Sequence, residues 1–282
     1  MKSLGEVLSL SINYLQEKKV SCARRTVETL LMYFLKKTRM DLYTQFEYPL
    51  EEEELKKVRE ALKRASLHEP VEYILSQVEF YGSLFEVTPD VLIPRPETEI
   101  LVDEAVKILL SNFTEGDVLW DVCSGSGCIG LSIKKKIPSL EVTLSDISPA
   151  ALLISKKNAA SLGLQVEYKL GDLLSPFAGQ KAKYIFCNPP YIAEREYKDL
   201  EPSVRDYEPR VALVGGEEGV ELYAKLAKEL PTYLLPGGKV FFEIGTGQGN
   251  RLKELFSDSC WVKRDLFFDY AGHERFFFLE IE

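Results

Sequence analysis

The sequence predicts an α/β protein with a doubly wound, mainly parallel seven-stranded sheet whose last strand is antiparallel, preceded by a small N-terminal helical domain and a linking hairpin. Three observations predict this fold. Beyond residue 97, strand-like apolar segments alternate with helical segments, as in parallel sheets covered by helices. The last two strand-like segments are joined without room for a helix, so the final strand must turn back. Before about residue 75, apolar residues recur at helical spacing.

The N-terminal segments read as amphipathic helices. Apolar residues keep helical spacing in Leu4–Leu15 and Val27–Leu35. A third segment, Glu51–Leu67, opens with four glutamates, where the helix dipole favours negative charge, so we interpret the acidic run as a solvated helix start. A turn at Tyr81–Ser83 then predicts a hairpin between two domains. The expected division is a helical domain at 1–77, a hairpin linker at 78–96 and an α/β domain at 97–282.

Seven strands are predicted in the α/β domain, with helices such as Pro149–Leu162 and Gln248–Phe256 between them. The predicted strands are Val118–Cys123, Val142–Asp146, Val166–Leu170, Tyr184–Cys187, Val240–Ile244, Val262–Phe268 and Phe276–Ile281.

Composition narrows the classes of partner. The net charge of −9, from 44 acidic and 35 basic residues, disfavours direct binding to nucleic acid. The five cysteines and two histidines form no close Cys-x-x-Cys pair and no metal-type cluster, so we expect reduced thiols and no metal. No apolar run approaches the roughly 20 residues that span a bilayer, and the N-terminus lacks a signal-peptide pattern. A cytoplasmic protein without membrane partners is expected.

A glycine-rich loop follows the first predicted strand. In open α/β sheets, ligands bind at the carboxyl ends of the strands, where glycines let the backbone approach them. Gly125, Gly127 and Gly130 satisfy the G-x-G-x-x-G pattern of dinucleotide sites. Asp121 favours another ligand, because its carboxylate repels a pyrophosphate but attracts the ammonium of a methionine moiety. Capping of local backbone amides is the alternative role for Asp121.

Two further strand ends carry acidic residues. Asp146 closes the second strand, where its acceptor-only carboxylate can take both hydroxyls of an adenosine ribose, although it could also cap a loop. Gly171-Asp172 closes the third strand. There, Asp172 could reach an adenine amino group while Leu173 or Leu174 covers the ring, but Gly-Asp is also ordinary turn chemistry. Together with Asp121, these positions favour S-adenosylmethionine as the cofactor.

The strongest signal is Asn188-Pro189-Pro190-Tyr191, directly after the fourth predicted strand. The prolines lack N–H groups and fix their own φ, and Asn188 is pushed towards extended geometry. The Asn188 side-chain oxygen and the Pro189 carbonyl can each accept one hydrogen of an incoming NH2, while the Tyr191 ring lies against the planar group. Fixed acceptors orient a weakly nucleophilic amide or aniline-like nitrogen towards a sulfonium methyl. A stiff loop that ends in a stacking tyrosine is the structural alternative.

With these residues in view, the chain resembles class I S-adenosylmethionine-dependent methyltransferases, and specifically the HemK/PrmC family of release factor glutamine N5-methyltransferases. Three further segments carry the resemblance beside Asn188–Tyr191, namely Glu69–Ile74, Leu92–Glu99 and Asp121–Gly130, and it covers nearly the whole chain. The resemblance implies methyl transfer to the glutamine of the Gly-Gly-Gln motif in peptide chain release factors. It also implies cofactor contacts from Cys123–Gly127, Asp146, the region of Leu173, and Asn188.

The expected site has two parts. Cofactor-binding candidates are Asp121, Cys123, Ser124, Gly125, Ser126, Gly127, Asp146, Asp172, Leu173 and Asn188. Asn188, Pro189 and Tyr191 are the catalytic candidates, and Pro190 joins them as a substrate-binding candidate. The chain departs from many relatives by having Cys123 and Ser124 in place of glycine or threonine, and from some by having Leu173 in place of an aromatic ring.

Alternatives remain at this point. The Asn-Pro-Pro-Tyr chemistry also serves N6-adenine methylation of nucleic acid, but the residues before position 80 contain about as many acids as bases, unlike a basic recognition region. A non-catalytic adaptor would not require intact cofactor and substrate motifs, and an NAD-dependent oxidoreductase would leave Asn188–Tyr191 unexplained. Arg95 is expected near the pocket, either as a contact or in a structural pair with a carboxylate. The N-terminal helices are expected to recognise the release factor.

Overall fold

The structure, a computed structural model, describes residues 2–282. The chain divides into two compact units, a helical unit that extends to Gln77 and an α/β unit that contains Val78–Leu200 and Glu208–Glu282. Residues Glu201–Tyr207 belong to the helical unit although they lie far along the sequence. In residues 2–282, no helix combines the length and apolar character needed to cross a membrane.

Five helices form most of the helical unit: α1 (Leu4–Glu17), α2 (Ala23–Leu35), α3 (Arg39–Thr44), α4 (Glu52–Ala65) and α5 (Val71–Leu75). Their apolar faces meet in one core, in which Leu15, Val27 and Leu30 are fully buried. The acidic run begins a helix as predicted, because the Glu54 side chain accepts the Glu51 N–H at 2.9 Å.

The predicted hairpin is present. Strands β1 (Gln77–Phe80) and β2 (Ser83–Glu86) form a two-stranded sheet around a two-residue turn. Both turn residues have positive φ, 48° at Tyr81 and 67° at Gly82. That combination defines the tight hairpin turn whose twist matches its strands.

The main sheet has seven strands in the order β10-β11-β9-β6-β3-β4-β5. They are β3 (Val118–Val122), β4 (Glu141–Asp146), β5 (Glu167–Leu170), β6 (Ala182–Cys187), β9 (Leu234–Glu243), β10 (Trp261–Phe268) and β11 (Glu274–Ile281). Strand β11 runs antiparallel to both β9 and β10, and the pairs among β9, β6, β3, β4 and β5 are parallel. The predicted sheet, including its antiparallel last strand, is confirmed.

One helix precedes the first strand of this sheet, and four others lie between its strands along the chain. They are α6 (Pro96–Asn112), α7 (Cys128–Lys136), α8 (Pro149–Ser161), α10 (Glu221–Tyr233) and α11 (Gly249–Leu255). Side chains alternate between two cores along each central strand, with Leu119 and Tyr184 in one and Trp120 and Ile185 in the other. Burial on both faces is what a parallel sheet covered by helices requires.

The segment between β6 and α10 was not predicted. It contains the short parallel pair β7 (Ile192–Ala193) and β8 (Val214–Gly216) and the four-residue helix α9 (Pro202–Arg205). Strands of two and three residues are too short to show a period of two, so the sequence pattern gave no signal for them.

Candidate active site

The loop after β3 is fixed by backbone hydrogen bonds to the end of β4. The Ser124 N–H donates to the Ser145 carbonyl at 2.9 Å, and the Gly125 N–H donates to Asp146 Oδ2 at 2.9 Å. Gly125 and Gly127 have φ of +53° and +79°, which explains why glycine occupies both positions. Cys123 has φ of 60° without being glycine, a strained conformation that clusters at functional sites.

Asp146 presents a carboxylate that is already oriented. Its Oδ2 accepts from Gly125 N and its Oδ1 accepts from Ser148 N, each at 2.9 Å. Burial raises the pKa of Asp146, and these backbone hydrogen bonds act in the opposite direction. Each oxygen keeps a free lone pair, so the carboxylate can still accept from two hydroxyls.

Asp121 is buried under the same loop. Its Oδ2 accepts the Gly130 N–H at 2.8 Å, so it does cap a local backbone amide. Its Oδ1 has no hydrogen-bond partner among the described residues. Burial raises the pKa of Asp121 to about 7, and the nearby Asp146 charge adds to this rise. A buried acceptor with one unused oxygen suits a cationic ligand group.

The Asn188–Tyr191 loop leaves the end of β6 and contacts the end of β9 at Glu243, which is 1% exposed. The Thr98 hydroxyl donates to Glu243 Oε2 at 2.6 Å, and the Tyr191 hydroxyl donates to Oε1 at 3.5 Å. Burial raises the pKa of Glu243. The hydrogen bond from Thr98, the charges of Arg275 and Arg95, and a hydrogen bond from Asn188 lower this pKa and partly offset the effect of burial. In that hydrogen bond Asn188 donates through its NH2 group, which leaves its oxygen available as an acceptor.

One cavity of about 260 Å³ collects most of the predicted site. The predicted residues in its wall are Cys123, Ser124, Gly125, Ser126, Asp146, Asp172, Leu173, Asn188 and Pro190. Four predicted residues do not line it: Asp121, Gly127, Pro189 and Tyr191. Tyr191 instead lines an adjacent pocket with Gly245, Gln248 and Arg275. The Asn188–Tyr191 loop therefore borders both pockets.

At the end of β5, the two predicted residues Leu173 and Asp172 differ in their surroundings. Leu173 is buried in the cavity wall with φ of 46°, consistent with an apolar surface for a ring. Asp172 lies half exposed in the same wall, and its Oδ2 pairs with Lys225 Nζ at 3.0 Å. Lys225 comes from α10, so sequence spacing offered no sign of this partner.

Arg95 forms the structural pair that the sequence left open. Its Nη2 lies 2.5 Å from Glu208 Oε1, and Glu208 Oε2 also accepts the Ile93 N–H at 3.2 Å. Glu208 is 5% exposed, and the segment after it contributes Val211, Ala212 and Val214 to the cavity wall. These wall residues and Thr98 were not predicted as site residues, because Val211, Ala212 and Val214 come from a segment without periodic pattern and Thr98 lies in the first turn of α6.

Comparisons with known proteins agree with this geometry. Residues 98–201 match the methyltransferase small domain and residues 6–75 match the PrmC N-terminal domain. A release factor glutamine methyltransferase from Chlamydia trachomatis serovar D is 40% identical over 279 residues, which cover 98% of this chain and 94% of that protein. The chain belongs to the release factor glutamine methyltransferase family.

A second relative supports the same assignment, and a solved structure shares the fold. The release factor glutamine methyltransferase of Geobacter sulfurreducens is 38% identical over 267 residues, with 93% of each protein covered. A Thermus thermophilus 16S rRNA N2 G1207 methyltransferase shares the fold, with a TM-score of 0.53, 17% identity, and 73% of this chain and 50% of that chain covered. The predicted family and enzyme class are confirmed, and an NAD-dependent oxidoreductase or a non-catalytic adaptor does not fit this family.

Proposed function

We propose that this family member transfers a methyl group from S-adenosylmethionine to the side-chain amide nitrogen (N5) of the glutamine in the Gly-Gly-Gln motif of peptide chain release factors. One observation carries the proposal. A single cavity is lined by the carboxyl ends of two strands, at Asp146 and Asn188, and by the glycine loop Cys123–Ser126. A cofactor-type carboxylate and a planar-nitrogen acceptor therefore face the same space.

The residues present fit S-adenosylmethionine. Asp146 would accept both ribose hydroxyls, and Leu173 would cover the adenine ring. Asp121 Oδ1 and Ser124 Oγ are buried polar atoms without hydrogen-bond partners among the described residues, and both lie at the loop that would receive the methionine moiety. When bound, S-adenosylmethionine supplies an electrophilic methyl group on a sulfonium.

The Asn188–Tyr191 loop prepares the nucleophile. Asn188 Oδ1 and the Pro189 carbonyl would each accept one amide hydrogen, which fixes the plane of the glutamine amide. Tyr191 would lie against that plane. Because the nitrogen lone pair is delocalised, orientation rather than prior deprotonation limits the reaction. The proton becomes acidic as the N–C bond forms, so no strong base is required beforehand.

The substrate follows from the family and from the helical unit. The relatives from Chlamydia trachomatis and Geobacter sulfurreducens are named as release factor glutamine methyltransferases. We assign residues 1–77 to release factor recognition, 78–96 to the linker and 97–282 to catalysis. Translation termination takes place in the cytoplasm, so we place the reaction there. The net charge of −9 supports a protein substrate over nucleic acid.

Mass spectrometry tests the proposal. Purified release factors and an adenine-containing oligonucleotide would each be incubated with the enzyme and isotope-labelled S-adenosylmethionine. We expect a labelled methyl group on the Gly-Gly-Gln glutamine and none on the oligonucleotide. A Gly-Gly-Gln→Gly-Gly-Ala release factor is the matched control for the modified position. Label on adenine with none on the release factor would contradict the proposal.

A further inference from the structure

Tyr191 lies against Glu243 at the end of β9 and against Gly245 and Gln248 just after it, and the Arg275 side chain forms a further hydrogen bond with it. At the side-chain end, the Tyr191 hydroxyl donates to Glu243 Oε1 at 3.5 Å. At the backbone, Gln248 Nε2 donates to the Tyr191 carbonyl at 3.0 Å. Between them, a side chain at Gly245 would place a Cβ 3.2 Å from Tyr191 Cδ2. Tyr191 is thus fixed at its hydroxyl, its ring edge and its carbonyl.

Gln248 joins three chain segments at this point. Besides the Tyr191 carbonyl, its Nε2 donates to the Gly219 carbonyl at 3.2 Å, and its Oε1 accepts the Gly245 N–H at 2.9 Å. A primary amide is required for this arrangement, because one side chain must offer two N–H donors and one acceptor. A glutamate at this position would still accept the Gly245 N–H, but its second carboxylate oxygen would face the carbonyl oxygens of Tyr191 and Gly219.

We propose that Gln248 is a positioning residue for methyl transfer, which holds Tyr191, through a clamp formed by Glu243, Gly245 and Gln248, in the orientation that seats the acceptor amide. This inference rests on the proposed function. The clamp acts on the Tyr191 side of the Asn188–Tyr191 loop, whereas the cavity that would take the cofactor lies on the Asn188 side. Losing the clamp should therefore reduce turnover and leave cofactor affinity intact.

Gln248→Glu is the decisive variant, with Gln180→Glu as its matched control. Gln180 is exposed in the same unit and precedes β6, whereas the Asn188–Tyr191 loop follows that strand, so the control makes the same charge change at the other end of β6. We expect Gln248→Glu to lower kcat on a release factor by about 10- to 100-fold, the effect of losing one or two hydrogen bonds that orient a reacting group. Affinity for S-adenosylhomocysteine should stay within about twofold of wild type, and Gln180→Glu should match wild type in both.

A double-mutant cycle separates positioning from general stability. If Gln248 acts through the Tyr191 ring, Gln248→Glu should cost little further turnover in a Tyr191→Ala background, because the ring is already absent. Gly245→Ala is a second variant that changes no charge, and it should lower kcat by crowding Tyr191 and Gln248. Additive losses in the cycle, or near-normal kcat in a folded Gln248→Glu protein, would overturn the proposal.

The position of the Tyr191 ring can also be measured without methyl transfer, so the clamp can be tested independently of the proposed function. With 3-fluorotyrosine at position 191, the ¹⁹F resonance should shift or broaden in Gln248→Glu and remain unchanged in Gln180→Glu. If wild type fails to methylate release factors, the proposed function is wrong, and the ¹⁹F resonance alone decides the clamp. An unchanged resonance in Gln248→Glu would overturn the clamp even if the wild-type enzyme is active.

Discussion

Asn188 is the residue on which the chemistry depends. It follows a strand in which every residue except Lys183 is buried, precedes two prolines, and contacts the buried Glu243. The prolines limit the backbone and the carboxylate orients the amide, so the Asn188 oxygen needs no reorganisation to meet a substrate NH2.

Replacing Asn188 by alanine should abolish methyl transfer and preserve much of the cofactor affinity. The substitution removes one of the two acceptors that orient the nucleophile, which we expect to lower the rate by about 10²-fold or more. Single-turnover rates and calorimetric S-adenosylmethionine titrations check the two halves separately. Near-normal turnover would show that Asn188 is not the acceptor.

Replacing Asp146 by alanine should act on cofactor binding instead. The lost hydrogen bonds to ribose hydroxyls are charge-assisted, and each is worth about 1.5–3 kcal/mol. Calorimetry should therefore show a large rise in the Kd for S-adenosylmethionine. The backbone amides of Gly125 and Ser148 also lose their acceptor, so circular dichroism must confirm an intact fold. Unchanged cofactor affinity would make Asp146 a structural cap only.

From the raised pKa of Asp121 we expect cofactor binding to depend on pH. Burial raises its pKa to about 7, so the carboxyl loses its proton as pH rises through 7. Only the ionised form attracts an ammonium, and the cofactor ammonium itself persists to about pH 8. Affinity for S-adenosylmethionine should therefore increase between pH 6 and 7.5.

In Asp121→Asn this increase should disappear, and affinity at pH 7.5 should fall by about tenfold or more with the loss of a charged hydrogen bond. Titrations of both proteins across this pH range give the answer. If the variant keeps the same pH step, another group is responsible, and Asp146, whose pKa burial also raises, is the next candidate.

Among the elements, α7 packs closely against the sheet at Gly130. A Cβ on Gly130 would lie 2.5 Å from Leu144 Cδ2 and 2.9 Å from Asp121 Oδ2. Glycine at this position therefore allows the helix to donate its N–H to Asp121 and to hold the cofactor loop against β3 and β4. The third glycine of the G-x-G-x-x-G pattern is explained by helix packing rather than by ligand contact.

Gly130→Ala should destabilise the protein by about 1–3 kcal/mol, the usual cost of overpacking a core. Thermal or urea unfolding measures the change, and cofactor affinity should fall with it because Asp121 must move. Ser132→Ala is the matched control on the same helix, since it removes a buried hydroxyl without a hydrogen-bond partner in the described residues. That control should be neutral or slightly stabilising, and equal unfolding curves for both variants would refute the packing argument.

At the scale of the whole molecule, each of the two units is built from two separate segments of the chain. The helical unit includes Glu201–Tyr207, which the sequence assigned to the α/β domain. Within that unit, the Tyr207 hydroxyl donates to the Leu67 carbonyl at 2.7 Å. The chain returns to the α/β unit at Glu208, the partner of Arg95. Chain continuity thus connects the proposed recognition unit with the wall of the proposed active site.

Deleting residues 1–75 should leave a protein that binds S-adenosylmethionine but methylates intact release factor far more slowly. The penalty should be smaller on a short glutamine-containing peptide, because specificity for a folded partner needs an interface of about 800 Å² per partner, more than a reactive loop offers. Full-length Tyr207→Phe controls for the lost contact of Glu201–Tyr207. Circular dichroism and cofactor binding must first show that the truncated protein folds. Equal rates on intact release factor would make the helices a stabilising appendage.

The sequence by itself determined the sheet, its antiparallel last strand, the family, and nine of the residues that line the cavity. The physical reason is local. Strands and helices follow from hydrophobic periodicity, and parallel strands bring their carboxyl ends to one edge of a sheet. Asp146, Asp172 and Asn188 could therefore be placed together before any contact was known.

Only the tertiary structure decided which side chains support that site. Arg95 pairs with Glu208 at a separation of 113 residues, and Thr98 donates to Glu243 across 145 residues. It also decided that Tyr191 lies outside the cavity, against Gln248. These contacts arise because folding brings distant segments together, and no local period or spacing in the sequence records which of many carboxylates or amides will meet.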